Sequence, residues 1–287
     1  MIIEQKEIKY QGKIVFEKLV MSPNFKRAPK FFYEDEACFL FLTKGAFQFR
    51  TPVKLLQFSE GDGMLAQCGN YLMENMSMNS QIQEQTVTVI GAFFYPELVK
   101  TFFSNDLSLQ TFQRPITVTK VSIEPIIKSF FDGLDYLLSN PEIADENLII
   151  NKQKELLILL SKTEESVSVQ SFVNSLFADF EYDFREVVTK NIFANLTIKE
   201  FAFLAGMSEA SFKRKFKAVF HDSPASYLLK KRLMHAQQLL LLKSHSIADT
   251  AYACGFNSPS AFNKAFKKHF NESPSAFRIS QKDKSLS

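Results

Sequence analysis

The chain has 287 residues, a length that favours two domains over one. Its composition, with 46% hydrophobic and 23% charged residues and only 9 Gly and 10 Pro, excludes collagen-like, low-complexity and wholly disordered chains. The net charge of +3 is unevenly divided, because residues 1–186 carry 18 basic against 25 acidic residues and residues 187–287 carry 16 against 6. This asymmetry predicts a module that binds a polyanion, attached to a mildly acidic domain.

Cysteine usage and hydropathy indicate the cell compartment. Cys38, Cys68 and Cys254 are odd in number and widely spaced, so they indicate no disulfide framework and favour a reducing environment. The first ten residues lack the apolar core of a secretory signal, and no apolar run approaches the ~20 residues that span a bilayer. We therefore expect a cytoplasmic protein without a membrane partner.

Short strands dominate the prediction for residues 1–120. Two apolar runs within Cys38–Phe58 flank a Thr-Lys-Gly turn, which is a hairpin signal. Phe47 and Phe49 alternate with polar residues at the period of a half-buried strand, and Thr86–Phe94 is a further β-branched and aromatic run. The pattern predicts a compact barrel or sandwich.

From about Glu124 the apolar residues recur at helical spacing instead, in two successive helices separated by Asn140-Pro141. The apolar stripe of the first helix must pack either on the domain's own barrel or on a second subunit. We expect it to form a weak homodimer, since transient interfaces suit regulators. We also expect a regulatory and dimerisation domain over 1–165, a linker over 166–180 and a separate domain over 181–287. The predicted dimer face consists of Ile127, Phe130, Phe131, Leu134 and Leu138.

One pattern occurs twice in the last hundred residues. The copies agree in position, residue type and order, with an offset of 49 residues before a glycine turn and 50 after it. One residue, near Asn257, is therefore inserted in the second copy, and the agreement indicates a duplicated structural unit. The matching positions are Ile198, Ala202, Gly206, Ser208, Phe212, Phe216, Phe220 and Pro224 in the first copy, and Ile247, Ala251, Gly255, Ser258, Phe262, Phe266, Phe270 and Pro274 in the second.

Each copy has the sequence of a helix-turn-helix. Thr197 and Ser246 can cap a short first helix, which Gly206 and Gly255 then end, because a left-handed cap costs little only for glycine. The joining helix Ser226–Leu242, about 25 Å long, could hold the two second helices near the ~34 Å spacing of successive major-groove faces. Exposed basic and amide side chains on such helices are what major-groove reading requires. They are Lys213, Arg214 and Lys217 in the first copy, and Asn263, Lys264, Lys267 and Lys268 in the second.

At these residues the sequence resembles the AraC/XylS family of bacterial transcription regulators. The resemblance covers about 184–278, through RLMHAQQLLL at 232–241, SIADTAYACGF at 246–256 and SPSAFNKAFKKHFNESPSAFR at 258–278. It implies that each second helix enters one major-groove segment of an asymmetric site. One departure is His221-Asp222, where the family commonly has a glycine near a helix end. The base-reading residues implied are Ala210, Ser211, Lys213 and Arg214, then Ser260, Ala261, Asn263 and Lys264, with Lys217, Lys267 and Arg278 nearer to phosphates.

The N-terminal part resembles the cupin-like arm of the same family by layout. Within the family it is most similar to the type III secretion activator subgroup. The resemblance implies an α+β fold, with a cupin-like β-barrel and two helices followed by an all-α domain of two helix-turn-helix motifs. It also implies that the arm self-associates and binds a regulatory protein. An activator of this kind has double-stranded DNA and RNA polymerase as partners.

An enzymatic function finds little support in the sequence. Residues 1–220 contain no histidine, so a cupin-type metal site is not expected, and no nucleophile elbow, P-loop or dinucleotide-binding motif occurs. We expect no cofactor. The alternative left open is a barrel that binds a small apolar effector, or catalyses a reaction, and carries a DNA-binding tail. The phenylalanines of strands Phe39–Phe49 could line such a pocket or simply fill the barrel.

Overall fold

The computed structural model describes residues 2–22, 27–30, 36–67, 69–75, 86–102, 118–163, 169–178, 181–242 and 245–284. It divides into two compact units, Met1–Glu181 and Tyr182–Ser287. The first combines antiparallel sheets with helices, and the second is helical. The predicted α+β fold class is confirmed.

Ten described strands of the first unit form two antiparallel sheets. The larger has the order β1-β2-β9-β4-β7-β10 and the smaller the order β3-β8-β5-β6. Both contribute buried side chains to one continuous core. The strands are β1 Ile2–Tyr10, β2 Lys13–Met21, β3 Arg27–Lys30, β4 Ala37–Lys44, β5 Ala46–Arg50, β6 Leu55–Ser59, β7 Asp62–Ala66, β8 Tyr71–Asn75, β9 Val87–Phe94 and β10 Thr119–Ser122.

The predicted hairpin between the two apolar runs of 38–58 does not form. β4 pairs with β7 and β9, whereas β5 pairs with β6 and β8, so the chain passes from one sheet to the other at Gly45. Gly45 has φ +86°, and a Cβ there would lie 2.8 Å from the carbonyl oxygen of Thr86. Only glycine fits this close approach, so the turn signal marks a change of sheet.

Helices of the first unit cover its sheets. Gln153 of α3 donates from Nε2 to the carbonyl oxygens of Val15 (3.0 Å) and Phe93 (3.3 Å), which ties this helix to β2 and β9. The helices are α1 Pro96–Phe102, α2 Pro125–Ser139, α3 Glu146–Thr163 and α4 Val169–Leu176, with a 3-10 turn at Pro141–Ile143.

The apolar stripe of α2 lies inside the unit's own core, which corrects the predicted dimer face. The Phe131 ring lies 5.5 Å from the Phe39 ring and 5.3 Å from the Phe41 ring. No residue of the stripe is more than 3% exposed, so the sheet already covers the surface that was expected to meet a second subunit. The residues concerned are Ile127, Phe130, Phe131, Leu134 and Leu138.

The segment predicted as a linker is largely a helix. Phe172, Val173 and Leu176 of α4 are buried in the core of the first unit, and the division between the units falls after Glu181. Burial of these side chains makes α4 part of the N-terminal domain. Residues 166–168 and 179–180 of the predicted linker lie outside the described residues, as does Cys68.

The described residues of the second unit form seven helices. Two helix-turn-helix modules can be defined, module 1 from α6 and α7 and module 2 from α9 and α10. The helices are α5 Phe184–Lys190, α6 Ile198–Leu204, α7 Glu209–Phe220, α8 Pro224–Leu240, α9 Ile247–Ala253, α10 Pro259–Phe270 and α11 Pro274–Lys284.

Candidate nucleic-acid interface

Each module begins with a capped helix. The Thr197 side chain accepts from the backbone N–H of Glu200, and the Glu200 carboxylate accepts from the backbone N–H of Thr197 at 2.7 Å. Ser246 and Asp249 form the same reciprocal pair in module 2. These boxes satisfy backbone donors that a helix start would otherwise leave unpaired. The predicted caps are therefore confirmed.

The glycine turns of the two modules have the same hydrogen-bond pattern. In module 1 the N–H of Gly206 donates to Phe203 and that of Met207 to Ala202, and in module 2 Gly255 donates to Tyr252 and Phe256 to Ala251. The glycines have φ +65° and +77°, so both turns are Schellman motifs that need a left-handed residue. This geometry stops the first helix abruptly and lets the second leave at an angle. The second helices are then capped by Ser208 and Ser258.

Phenylalanine pairs orient the second helices. Phe212 and Phe216 of α7 are fully buried, with ring centroids 5.7 Å apart, and Phe262 and Phe266 of α10 are fully buried at 5.5 Å. Residues four apart share one face of a helix, so these rings fix which face points inward. The opposite face carries mostly exposed side chains.

That solvent face carries the residues predicted to read bases. Ser211 is partly buried, and its Oγ lies 3.4 Å from a guanidinium nitrogen of Arg214 and 3.1 Å from Oγ of Ser208. The remaining predicted residues of the two reading helices are exposed: Ala210, Lys213, Arg214, Lys217, Ser260, Ala261, Asn263, Lys264, Lys267 and Lys268.

The charge of the two reading helices differs. In α7 the Lys213 ammonium lies 2.5 Å from the carboxylate of Glu209, one turn earlier. The sequence of α10 contains no acidic residue, and within the described part of the chain its three lysines form no ion pair. The cationic surface of α10 is therefore the less neutralised of the two.

Arg278 does not lie on this surface in the way the resemblance implies. Its guanidinium donates from Nε to the carbonyl oxygen of Leu240 (3.0 Å) and from Nη2 to that of His245 (2.7 Å). The side chain thereby caps the end of α8 and restrains the segment before α9. Its donors are directed at the protein backbone, so the expectation of a phosphate contact is corrected to a structural role.

The joining helix α8 is shared by both modules. Tyr227 near its start packs on Phe216 and Phe220 of α7, with ring centroids 5.5 and 4.7 Å away. Leu233 and Leu240 further along are buried in one cluster with the core of module 2. The helix has 17 residues, or about 25 Å, as the sequence predicts.

Sequence reasoning missed Arg232, which lies on α8 and is partly buried. It donates from Nε to the carbonyl oxygen of Ile192 (2.6 Å) and from Nη1 to that of Gly255 (3.1 Å). Desolvation by burial lowers the pKa of this guanidinium and raises the pKa of the neighbouring Cys254 thiol to about 11, so Cys254 stays protonated near neutral pH. The only sequence signal for Arg232 was its place in the family motif.

The described residues were expected to contain neither a metal site nor a membrane-spanning helix, and they give no support for either. No group of three or more His, Cys, Asp and Glu side chains there could hold a metal ion. None of the helices in the described ranges is long and apolar enough to cross a membrane.

Described residues of the first unit line a small apolar cavity and a larger one. The apolar one, of about 30 Å³ between Leu40, Met73 and Phe93, has room for little more than a water molecule. The larger, of about 320 Å³, is lined by Lys9, Gly12, Lys13, Ile14 and Tyr95. The phenylalanines of β4 and β5 are buried. Those of β4 pack on Phe131 and those of β5 on each other, as the space-filling interpretation of these strands expects.

Each of the two units matches a known protein family. Residues 201–280 match a family described as a helix-turn-helix domain, and residues 37–172 match the ExsA N-terminal regulatory domain. The chain is 27% identical over 168 residues to the virulence regulon transcriptional activator VirF of Yersinia enterocolitica, covering 58% of this chain and 61% of that relative, which is less than two thirds of its length. It is 24% identical over 219 residues to the HTH-type transcriptional regulator ExsA of Pseudomonas aeruginosa, covering 76% and 77%. A solved structure of fatty-acid-bound ToxT from Vibrio cholerae is 15% identical, covering 92% of this chain and 95% of that one, with a TM-score of 0.38.

Proposed function

We propose that this chain, which belongs to the AraC family of transcription regulators, recognises a defined DNA sequence through two adjacent major-groove segments and activates transcription. The observation that carries the proposal is the repeated module. Each copy buries a phenylalanine pair of its second helix, stops its first helix at a left-handed glycine and exposes a basic or amide face on that second helix. A helix of that kind is what fits the major groove.

Roles for the exposed side chains follow from their chemistry. Arg214, Lys264 and Asn263 can reach base edges with donors suited to guanine or adenine, and the methyl groups of Ala210 and Ala261 suit thymine methyls. Ser211 and Ser260 near the helix starts can bond to base edges or phosphates. The lysines nearer the helix ends, Lys217, Lys267 and Lys268, are positioned for phosphates, which give affinity without sequence preference.

The first unit is proposed to regulate, through self-association and through binding of a regulatory protein, and the complex on DNA is proposed to contact RNA polymerase. The likeness of residues 37–172 to a regulatory domain supports this division of labour. Because the α2 stripe is buried, a homodimer requires another surface. The outer face of α2 exposes Ile126 (55%) and Tyr136 (62%), which makes it the first surface to test.

A small effector is proposed only as an addition to this function. The cavity at Lys9, Lys13 and Tyr95 is of a size that suits a small molecule. Lys9 and Lys13 are paired with Glu7 and Glu97, so the lining does not favour an acidic effector over the apolar one expected from the sequence. Protection of β1 and β2 from hydrogen exchange by the ligand would locate such binding.

The test is selection of DNA by the full chain from a library of random duplexes, followed by a salt titration on the enriched sequence. We expect one asymmetric sequence to be enriched, and log affinity to fall with log salt by about 0.9 for each phosphate contact. Failure to enrich any sequence, or an affinity indifferent to salt, would contradict the proposal.

A further inference from the structure

The segment between α5 and α6, residues 191–195, contacts the turn of module 2. The Asn195 amide donates from Nδ2 to Oδ1 of Asn257 at 2.6 Å. Asn257 is the residue at which the second copy of the repeat exceeds the first. The inserted residue therefore joins module 2 to the segment that precedes module 1, and no residue of the first copy occupies its position.

The backbone of the same turn packs directly on this segment. A Cβ on Gly255 would lie 2.7 Å from the carbonyl oxygen of Phe193, which is closer than two such atoms can come. The Phe193 ring in turn lies 4.5 Å from the ring of His235 on α8. Glycine is required here for the approach of two chain segments as well as for its left-handed conformation.

Arg232 completes the connection. Its two bonds join Ile192, which precedes module 1, to Gly255 in the turn of module 2. Arg278 makes a comparable pair of bonds, but both of its acceptors, Leu240 and His245, precede module 2. Of these two arginines, Arg232 joins module 2 to the segment that precedes module 1, and Arg278 serves as its internal control.

Among the described residues, α8 packs on both modules, and a second set of contacts fastens module 2 to the segment that leads into module 1. That segment follows α5, whose Phe184 ring lies 5.4 Å from the Phe212 ring of module 1. We call the contacts of Asn195, Arg232, Gly255 and Asn257 the brace. A single shared helix leaves the modules free to bend and twist about it, whereas a second attachment removes that freedom. We propose that the brace holds the two reading helices at one separation and one relative rotation, and that Arg232 and Asn257 are positioning residues that set the spacing between the two DNA segments. This inference rests on the proposed function.

The consequence for DNA recognition is geometric. One inserted base pair moves the second segment by about 3.4 Å along the duplex and rotates it by about 34–36°. A protein with the brace cannot move its second reading helix to match this shift and rotation, so one module loses its base contacts. A protein without the brace can follow by bending at α8. The brace therefore predicts a steep dependence of affinity on spacing, which its removal flattens.

The experiment uses the full chain and the duplex that it selects from a random library, together with duplexes carrying one base pair more or less between the two footprints. The variants are Arg232→Lys and Asn257→Ala, with Arg278→Lys as the matched control. Lysine cannot bond two separated carbonyls as arginine does. Asn257 is exposed, so its variant keeps the fold should Arg232→Lys fail to fold.

We expect the wild type and Arg278→Lys to bind the respaced duplexes at least about tenfold more weakly than the selected one, since the loss of even one base contact costs about that much. In the brace variants this ratio should fall to about threefold or less, even where affinity for the selected duplex drops. Equal ratios in brace variants and wild type, or a wild type that tolerates respacing, would overturn the brace while leaving the selected binding intact. Failure to select any duplex would refute the proposed function and, with it, the brace.

Discussion

His221 ends α7 in the left-handed conformation, with φ 57°, and Asn271 ends α10 in the same way, with φ 60°. The two positions are 50 residues apart and equivalent in the repeat. Asparagine adopts this conformation readily, whereas a left-handed backbone costs an ordinary L residue about 1–2 kcal/mol. The turn at His221, where a glycine was expected from the resemblance, therefore keeps the geometry of a glycine turn, with some strain.

We predict that His221→Gly stabilises the second unit. Release of the strain outweighs the entropy that glycine adds to the unfolded chain, so the gain should be about 0.5–1 kcal/mol. Asn271→Gly is the matched control, and its effect should be smaller. Urea unfolding followed by circular dichroism would measure both. A loss of stability in His221→Gly would show that the imidazole makes a compensating contact.

A second prediction concerns the acidic residue on the reading surface of α7. Glu209→Gln removes the carboxylate paired with Lys213 and so raises the positive charge that faces DNA. Because an exposed pair is worth about 0–1 kcal/mol, affinity should rise up to about fivefold on all sequences alike, with a steeper salt dependence. Fluorescence anisotropy on selected and random duplexes would measure it. A gain confined to the selected duplex would mean that Glu209 rejects particular bases.

The second unit could be predicted closely from its sequence because its signals are local. Caps at Thr197 and Ser246 and the turns at Gly206 and Gly255 depend on residues within one or two helical turns, so the repeat reveals them. The contacts of the Arg278 side chain could not be predicted in this way. An arginine in a basic motif carries no local sign that its donors will bond the carbonyls of Leu240 and His245, which lie more than thirty residues away in sequence.

The first unit was harder to predict because its pairings are distant in sequence. The turn at Gly45 is a true turn, but the pattern cannot reveal that β4 pairs with β9, some fifty residues on. In the same way, an amphipathic stripe shows that α2 buries one face without showing what covers it. The stripe was expected to meet a second subunit, and the unit's own Phe39 and Phe41 cover it.

The burial of that stripe makes a third prediction. Leu134→Asn places an amide in the fully buried core and should cost at least about 3 kcal/mol, from lost apolar burial and an unpaired polar group. Tyr136→Ser, two residues along the same helix but exposed, should change stability by about 0.5 kcal/mol or less. Urea unfolding would measure both. A stable, monomeric Leu134→Asn protein would restore the stripe as a dimer interface.

A fourth prediction is a pH dependence at the start of α9. Hydrogen bonds from the Ser246 side chain and then from its backbone N–H hold the pKa of Asp249 below its usual value. The ionised form is therefore the stabilising one. Its contribution is fully present above the unfolded pKa of about 3.9 and is lost as the pH falls through the lower folded pKa.

The measurement is the difference in unfolding free energy between the wild type and Asp249→Ala. It should be constant near neutral pH and should shrink toward zero as the pH falls through the titration of the carboxyl group. Ser246→Ala is the control, since loss of its hydroxyl should raise the pKa of Asp249 toward the ordinary value. The NMR chemical shift of the Asp249 carboxyl carbon would report that pKa. A difference that does not vary with pH would show that the carboxylate does not act through its charge.

The last prediction separates base reading from phosphate binding on the two reading helices. Arg214→Ala and Lys264→Ala remove donors from the exposed faces opposite the buried phenylalanines, so each should cost about 1–3 kcal/mol on the selected duplex and relax the preference at particular base pairs. Lys267→Ala should weaken binding evenly on selected and random duplexes. It should also reduce the slope of log affinity against log salt by about 0.9, the value for one phosphate contact. Competition binding against a panel of single-base substitutions would measure all three variants. Equal losses on selected and random DNA for all three would mean that neither helix is seated in the major groove as the module geometry requires.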